Sequence, residues 1–538
     1  MGYSGTCFRR SKIKSRDSLD VKRQKEILQK SKGDGEMALL LGYDVGSSSI
    51  KATLLDAETG GVLASASSPE KELEIIAKKI GWAEQEPQVW WEHVKEATRK
   101  VASKIRNPKF EIRNVEAIGI SYQMHGLVIV DKNKQVLRPS IIWCDSRAVQ
   151  IGEKAAGDIG KKKCLRRLFN SPGNFTASKL KWVMENEPKI YSKIYKIMLP
   201  GDYVAMRMTD QIKTTPSGLS EGIMWDFESD GLAEFVLENY GISADLIAET
   251  VPTFSIQGEL TAAAAGELGL KAGTKVSYRA GDQPNNALSL GVLEPGEVAV
   301  TAGTSGVVYG ISNRKTYDRL SRVNIFVHVN HSKKKPRYGV LLCLNGTGIL
   351  NSWLKHNFMA EGLDYPQVNE LASQVAVGCD GLVILPYGNG AERTLENRNI
   401  GSSVHGWNFN VHKKAHFLRA AQEGIVFALN YGLGIMRDMG IKLKTVKAGY
   451  ANMFLSPLFA EAFATVTETM VELYNTDGSQ GAARGAGIGT GVYKGAEDAF
   501  VGLTPIKTIG PNKQLKVAYQ EAYESWEDVL KDELKRSR

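Results

Sequence analysis

Apolar and polar positions along the chain fall into two alternating patterns. Ala38–Tyr43 is a short apolar run that ends at Asp44, Gly46-Ser47-Ser48-Ser49 follows as a turn, Ile50–Leu55 reads as a second strand and Val62–Ala66 as a third. Short apolar runs separated by Gly/Ser turn chemistry predict an antiparallel meander. Pro87 then opens a helix, at the position where its missing N–H costs nothing. Trp90, Val94, Ala97, Val101 and Ile105 follow at helical spacing. Ala117–Ile120 reads as a buried strand leading into the loop Ser121-Tyr122-Gln123-Met124-His125-Gly126, and Leu127–Val130 resumes as strand.

The first pattern returns late in the chain. Glu297–Thr301 is a strand, Ala302–Gly306 a turn and Val307–Ile311 a strand, with Asn324–Asn330 as the expected third. The two tips, Asp44-Val45-Gly46-Ser47-Ser48 and Thr301-Ala302-Gly303-Thr304-Ser305, each place glycine and hydroxyls at a hairpin. They predict a diverged duplication, with two similar domains spanning residues 37–272 and 273–538, the second copy starting near Gly273. Lys413–Asp438 is a long helix with an apolar stripe, Thr445–Ala448 a strand and Gly449–Asn452 a loop. Ser456-Pro457 is an N-cap and first-turn signal. Gln480–Lys494 is Gly/Ala-rich and predicts a closely packed helix, and Tyr519–Arg538 predicts a polar terminal one.

Composition narrows the class without changing this outline. The 538 residues are 43% hydrophobic and 24% charged, a globular balance that excludes wholesale disorder. No apolar run reaches about 18 residues, so no transmembrane helix is expected. The net charge of +9 is uneven: residues 1–36 hold ten Lys/Arg against five Asp/Glu, which leaves +4 for the rest. The basic balance is therefore largely that of a tail, expected to be disordered, and it argues against nucleic acid as a partner. The tail lacks the apolar core of a secretory signal, and Met37 is an alternative start. The five cysteines, Cys7, Cys144, Cys164, Cys343 and Cys379, are scattered with no CxxC pair. That spacing argues against a disulfide framework or zinc site and for a reducing cytoplasm.

The chemistry concentrates at strand ends. Glycine–hydroxyl hairpins, one per half, suit a polyphosphate held in a cleft, because small residues let backbone N–H groups approach phosphate oxygens. Neither is a P-loop, and either alone is an ordinary hairpin. Asp44, directly before the first, is placed to anchor Mg²⁺ through water or to bond its own turn. Asp282 lies in Ala280-Gly281-Asp282-Gln283-Pro284, a setting for a carboxylate that takes a proton from a substrate hydroxyl, or simply a turn. Gln123-Met124-His125-Gly126 follows a strand, where α/β proteins place ligand loops. Trp82 in Gly81-Trp82-Ala83-Glu84-Gln85 either packs on a ligand or fills the core.

Taken together, Gln123–Gly126 with Val136-Leu137-Arg138-Pro139 and Ile142-Trp143, Trp82–Pro87, the Gly303–Val307 hairpin, Leu385-Pro386-Tyr387 with Glu392-Arg393-Thr394, and Arg419-Ala420-Ala421 with Glu423-Gly424 resemble the FGGY carbohydrate kinase family. The resemblance runs from about Leu39 to Gly495, and the Gln-Met-His-Gly combination is similar to the xylulose-phosphorylating members rather than the glycerol kinases. It implies an α/β fold of two actin-like (ribonuclease H-like) ATPase domains flanking a central cleft. It also implies ATP-dependent phosphorylation of a ketopentose, D-xylulose at its 5-hydroxyl, with other sugar or polyol kinases and a non-catalytic sugar sensor as rival readings.

By the same resemblance Asp282 is the catalytic base, and Gln123, Met124, His125, Trp82, Arg167 and Gln283 touch the sugar. Asp44, Gly46, Ser47, Ser48, Lys51, Gly303, Thr304, Ser305, Trp353, Gly449 and Asn452 face ATP, and Asp44 holds Mg²⁺. Small-molecule sugar and ATP are the implied partners, without nucleic acid or membrane, and a homodimer is left open. The chain departs from the family pattern at Gln283, where Asn is usual, at Tyr450, which intrudes after Gly449, at Trp407, and at Ser47, where Thr is common.

Overall fold

The computed structural model describes residues 38–358 and 362–537. The expected tail and the alternative start at Met37 lie outside the described residues. Two sheets of the same plan organise the chain. In the first, β1 (Leu39–Val45), β2 (Ile50–Asp56) and β3 (Val62–Ser68) form the expected antiparallel meander, with β1 pairing Val45 to Ile50 at the tip. β4 (Val115–Tyr122) runs parallel to β1 on its other side. Next to β4, β6 (Lys275–Gly281) is again parallel, and β5 (Phe254–Glu259) closes the edge antiparallel.

The second sheet repeats the plan. β7 (Glu297–Ala302) and β8 (Gly306–Ser312) form the hairpin. β9 (Asn324–Val327) follows in sequence, and β10 (Tyr338–Leu344) lies between it and β8. β11 (Thr445–Gly449) and β12 (Met470–Tyr474) run parallel to β7, and β13 (Lys507–Ile509) closes the edge antiparallel. The third strand of the second meander is therefore Tyr338–Leu344, and the expected Asn324–Asn330 segment supplies an edge strand beyond it. The boundary expected near Gly273 also moves. Strand β6 hydrogen-bonds to β4 in the first sheet, so the first half extends through Gly281.

Helices cover both sheets. α1 (Pro87–Lys104) buries Trp90, Trp91, Val94, Ala97 and Val101 against the first meander. α2 (Asp282–Ser289) starts where β6 ends. α3 (Lys414–Asp438), α4 (Pro457–Thr467), capped by the Ser456 hydroxyl, and α6 (Lys516–Arg536) belong to the second half. α5 (Gly478–Thr490) crosses back and packs on the first sheet. Glycines on both the sheet and the helix allow this: a Cβ at Gly42 of β1 would lie 1.9 Å from the Ser479 carbonyl oxygen, and one at Gly489 of α5 would lie 2.0 Å from that of Ser277. Among the described residues no helix is long and apolar enough to cross a membrane.

Candidate active site

Parallel strands β1, β4 and β6 are neighbours, and their carboxyl ends open together on a cleft of about 360 Å³. Open α/β sheets bind ligands at such ends. Asp44, Gly46, Ser47, Ser48, Lys51, Gln123 and Asp282, all expected site residues, line this cleft together with Trp143. A hydrogen-bonded frame fixes it. The Gln85 amide donates to the Ser47 carbonyl (2.8 Å), and its oxygen accepts from Gln123 (3.1 Å) and from the buried Trp90 indole (3.0 Å). Trp143 Nε1 donates to the Ser47 hydroxyl (3.3 Å). The Gln123 side-chain oxygen is buried with no partner among the described residues.

Three carboxylates set the electrostatics. Burial, with Asp44 nearby, pushes Asp282 up to about 7, while its hydrogen bonds from Gln283 pull the other way. Burial also raises Asp44, with Asp477 adding to it; the Ser121 hydroxyl, donating at 2.9 Å, offsets part of this. Burial works on Asp477 too, but the Lys51 ammonium at 2.7 Å and the N–H of Gln480 leave it below the ordinary carboxylate range. Lys51 therefore lies in the cleft but is paired with the residue that caps α5. Among the described residues no three ligating side chains gather into a metal cage.

The loop after β4 is held from below. His125 adopts φ 62°, and its Nδ1 hydrogen donates to the Glu221 carbonyl (2.9 Å), which fixes the tautomer and leaves Nε2 as an acceptor. Burial, helped by Lys179, lowers His125 to about 3, so the ring is neutral. Lys179 Nζ donates to the carbonyls of His125 (2.8 Å) and Ile142 (2.9 Å) and is itself pushed down by burial to about 7. Met124 packs on Gly281, where a Cβ would lie 2.5 Å from both Met124 Cγ and Glu221 Oε2. That contact seats the His125 loop beside Asp282 and Gln283. Glu221 is buried, and neither of its carboxyl oxygens has a partner among the described residues.

Two of the expected sugar contacts are engaged by protein groups. Arg167 is bonded to the Asp226 carboxylate and lies over Phe235 at 4.3 Å, so its charge is already satisfied away from the cleft lining. Trp82 is enclosed by Trp182 (5.2 Å) and the Arg147 guanidinium (3.8 Å), which is itself paired with Glu84 (2.7 Å). It stiffens the segment that carries Gln85. Sequence reasoning missed Glu221, Lys179 and Asp477. Only Asp477 left a local signal, an N-cap residue before Gly478-Ser479-Gln480.

The second hairpin is pinned at its carbonyls. The Thr347 hydroxyl and the Gly348 N–H donate to Gly303 O (2.9 and 2.8 Å), at the start of the helix Gly348–Phe358 that exposes Trp353. The N–H groups of Ser47, Ser48, Thr304 and Ser305 donate to no backbone acceptor among the described residues, the condition a phosphate-binding turn needs. Asn452, at φ 54°, brings its amide near Gly303, and Gly449 ends β11 beside it. The Asn286 amide donates to the Thr301 hydroxyl (3.1 Å), so α2 connects Asp282 to the second hairpin.

Comparison with known proteins gives the family. The N-terminal domain of the FGGY family of carbohydrate kinases matches residues 39–289, and its C-terminal domain residues 298–490. The xylulose kinase of Bacillus subtilis (strain 168) is 31% identical over 473 residues, which is 86% of this chain and 90% of that protein. The xylulose kinase of Escherichia coli (strain K12) is 28% identical over 496 residues, covering 91% and 98%. Among solved structures, the xylulose kinase from Rhodospirillum rubrum superposes with a TM-score of 0.82 at 24% identity (91% and 98% covered), and the gluconate kinase from Lactobacillus acidophilus with 0.84 at 20% (93% and 99% covered). The likeness to these structures establishes the two-domain actin-like fold. With both halves matched in order and a relative above 30% identity along most of its length, the chain belongs to the FGGY family of carbohydrate kinases and is a sugar-phosphorylating enzyme.

Proposed function

We propose that the enzyme transfers the γ-phosphoryl group of ATP to the 5-hydroxyl of a ketopentose, D-xylulose. The observation that carries the reading is Asp282: a carboxylate opening α2, held near 7 by burial and Asp44, on the same cleft as the Gly46–Ser48 hairpin and beside the Met124–His125 loop. The similarity to curated xylulose kinases supports the sugar. Asp282 accepts the hydroxyl proton as the oxygen attacks phosphorus, and a base with a pKa near the working pH is suited to that. His125 Nε2 and the unpartnered Gln123 oxygen accept from sugar hydroxyls. The free N–H groups of both hairpins hold phosphate oxygens, which makes catalysis chiefly positioning and charge stabilisation.

Asp44 and Asp282 are hard oxygen donors whose mutual repulsion a divalent cation relieves, so the residues fit Mg²⁺ with water and phosphate completing the shell. When bound, Mg²⁺ neutralises charge on the phosphates. The test is an ADP-release assay across pentuloses, pentoses, polyols and aldonates. D-xylulose should give the highest kcat/KM, with phosphate on O5. Turnover of glycerol or gluconate ahead of every pentulose would replace the ketopentose assignment.

A further inference from the structure

One half-buried cation on the sugar side belongs to the second half. Arg393 sits in the short turn Glu392–Leu395 after the strand Val383–Tyr387. Its guanidinium lies 5.3 Å from the Phe175 ring, and a Cβ at Gly173 would meet its Nη2 at 2.8 Å, so it reaches across to the first half. Phe175 in turn packs edge-on against His125 at 4.8 Å, and Phe326 of β9 faces the same imidazole at 5.5 Å. The wall beside His125 is thus built from both halves, with Arg393 in it.

The guanidinium is underused. Its only hydrogen bond is to the Ser321 hydroxyl (3.2 Å), and it makes no ion pair within 4 Å among the described residues. Burial lowers it to about 10. The same turn also touches the catalytic end: the Thr394 hydroxyl donates to the Cys343 carbonyl (3.4 Å), and the Cys343 thiol, raised chiefly by burial, feels both Glu392 and Asp282. A sugar spanning His125 and Asp282 therefore lies alongside this turn.

We propose that Arg393 is a sugar-binding residue supplied by the second half, its free N–H groups donating to the oxygens at the carbonyl end of the acceptor sugar, away from the hydroxyl that faces Asp282. The inference rests on the proposed placement of the sugar between His125 and Asp282. A guanidinium with several free donors discriminates a ketose from the corresponding sugar alcohol, because the carbonyl oxygen is an acceptor that brings no donor hydrogen of its own.

Steady-state kinetics of Arg393→Met and Arg393→Lys test it, on whichever acceptor the wild-type enzyme uses best. That choice separates the two readings: the wild-type sugar profile judges the proposed reaction, and the variants judge Arg393. Loss of a charged hydrogen-bond donor should raise the sugar KM about 10- to 100-fold in Arg393→Met, with the ATP KM and sugar-independent ATP hydrolysis within twofold of wild type. The preference for the ketose over its sugar alcohol should shrink, and Arg393→Lys should fall between. An unchanged sugar KM and preference, or equal rises in the sugar and ATP KM, would overturn the assignment. Should Arg393→Met not fold, Arg393→Lys decides alone: wild-type sugar KM and preference in that variant sink the proposal.

Discussion

Asp282 sits where ionising a carboxylate is costly, and the cost has a sign that can be measured. Its folded value, about 7, lies above the ordinary aspartate value of 3.8. Between those two values the folded state binds the proton more tightly than the unfolded one, so this group's contribution to stability falls as pH rises through the window and is least favourable above 7. Asp282→Asn removes the ionisation. Its melting temperature should exceed that of the wild type at pH 8, and the gain should vanish toward pH 4. Activity runs the other way. Turnover should drop by roughly 10²–10⁴, the span of a general base, while sugar binding holds, and wild-type kcat/KM should rise with pH to a plateau above about 7. Near-normal turnover of Asp282→Asn would remove it from the mechanism. His125→Ala, by losing one buried hydrogen bond worth about 1–3 kcal/mol, should weaken the sugar and leave ATP binding intact; the opposite split would assign the loop to the nucleotide. At this scale the sequence was readable where a cleft residue stands at the end of a strand, as at Asp44, Gln123 and Asp282. It was silent on Glu221 and Lys179, whose neighbours come from distant segments. It gave no sign that Arg167 is paired with Asp226, 59 positions away.

Among the elements, α5 shows how much depends on small residues. It lies on β1, β4 and β6 so closely that Gly42→Ala would drive a methyl into the Ser479 carbonyl at 1.9 Å and the Ala483 N at 2.4 Å, both backbone. Overpacking of this kind costs typically 1–3 kcal/mol, and the lost fit should disturb the adjacent Asp44. Gly434 in α3 is the control: a Cβ there meets nothing within 4 Å, and Gly→Ala inside a helix gains roughly 0.5–1 kcal/mol. Thermal melts should therefore move in opposite directions for Gly42→Ala and Gly434→Ala; a stable Gly42→Ala would mean that the helix can slide on the sheet. The Gly/Ala composition of α5 announced tight packing, but not on which sheet, since that is a long-range choice. Likewise β10 is a bare apolar run, Tyr338–Leu344, which periodicity alone does not assign to strand or helix. The shift of the half-boundary past Gly281 follows from the pairing of β6 with β4, which no local pattern encodes.

At the scale of the molecule, the halves are tied on both sides of α2. α5 and the Lys51–Asp477 pair join them beside the first hairpin. Near His125, Asn170 exchanges two hydrogen bonds with Ile325 of β9 (2.6 and 3.0 Å), and the Val327 N–H donates to the Ser220 hydroxyl (2.9 Å). Between them runs α2. Asp282 begins it, Asn285 donates to the Gly478 carbonyl where α5 starts (2.8 Å), and Asn286 holds Thr301 just before the second hairpin. A sugar that engages Asp282 thus acts on the same helix that positions the hairpin around Thr304, so sugar and nucleotide should bind with positive coupling, typically 1–3 kcal/mol or about 5–150-fold. The coupling must be reciprocal: the sugar tightens a non-hydrolysable ATP analogue by the factor with which the analogue tightens the sugar. Thr304→Val should weaken the analogue and reduce the factor. Asn286→Ala should leave each ligand's affinity alone nearly unchanged and still lower the factor, because it cuts the connection and not a contact. Calorimetric titration of each ligand with and without the other measures all of these. Independent binding in the wild type would leave the phosphotransfer chemistry in place but remove α2 as the link between the two ligands.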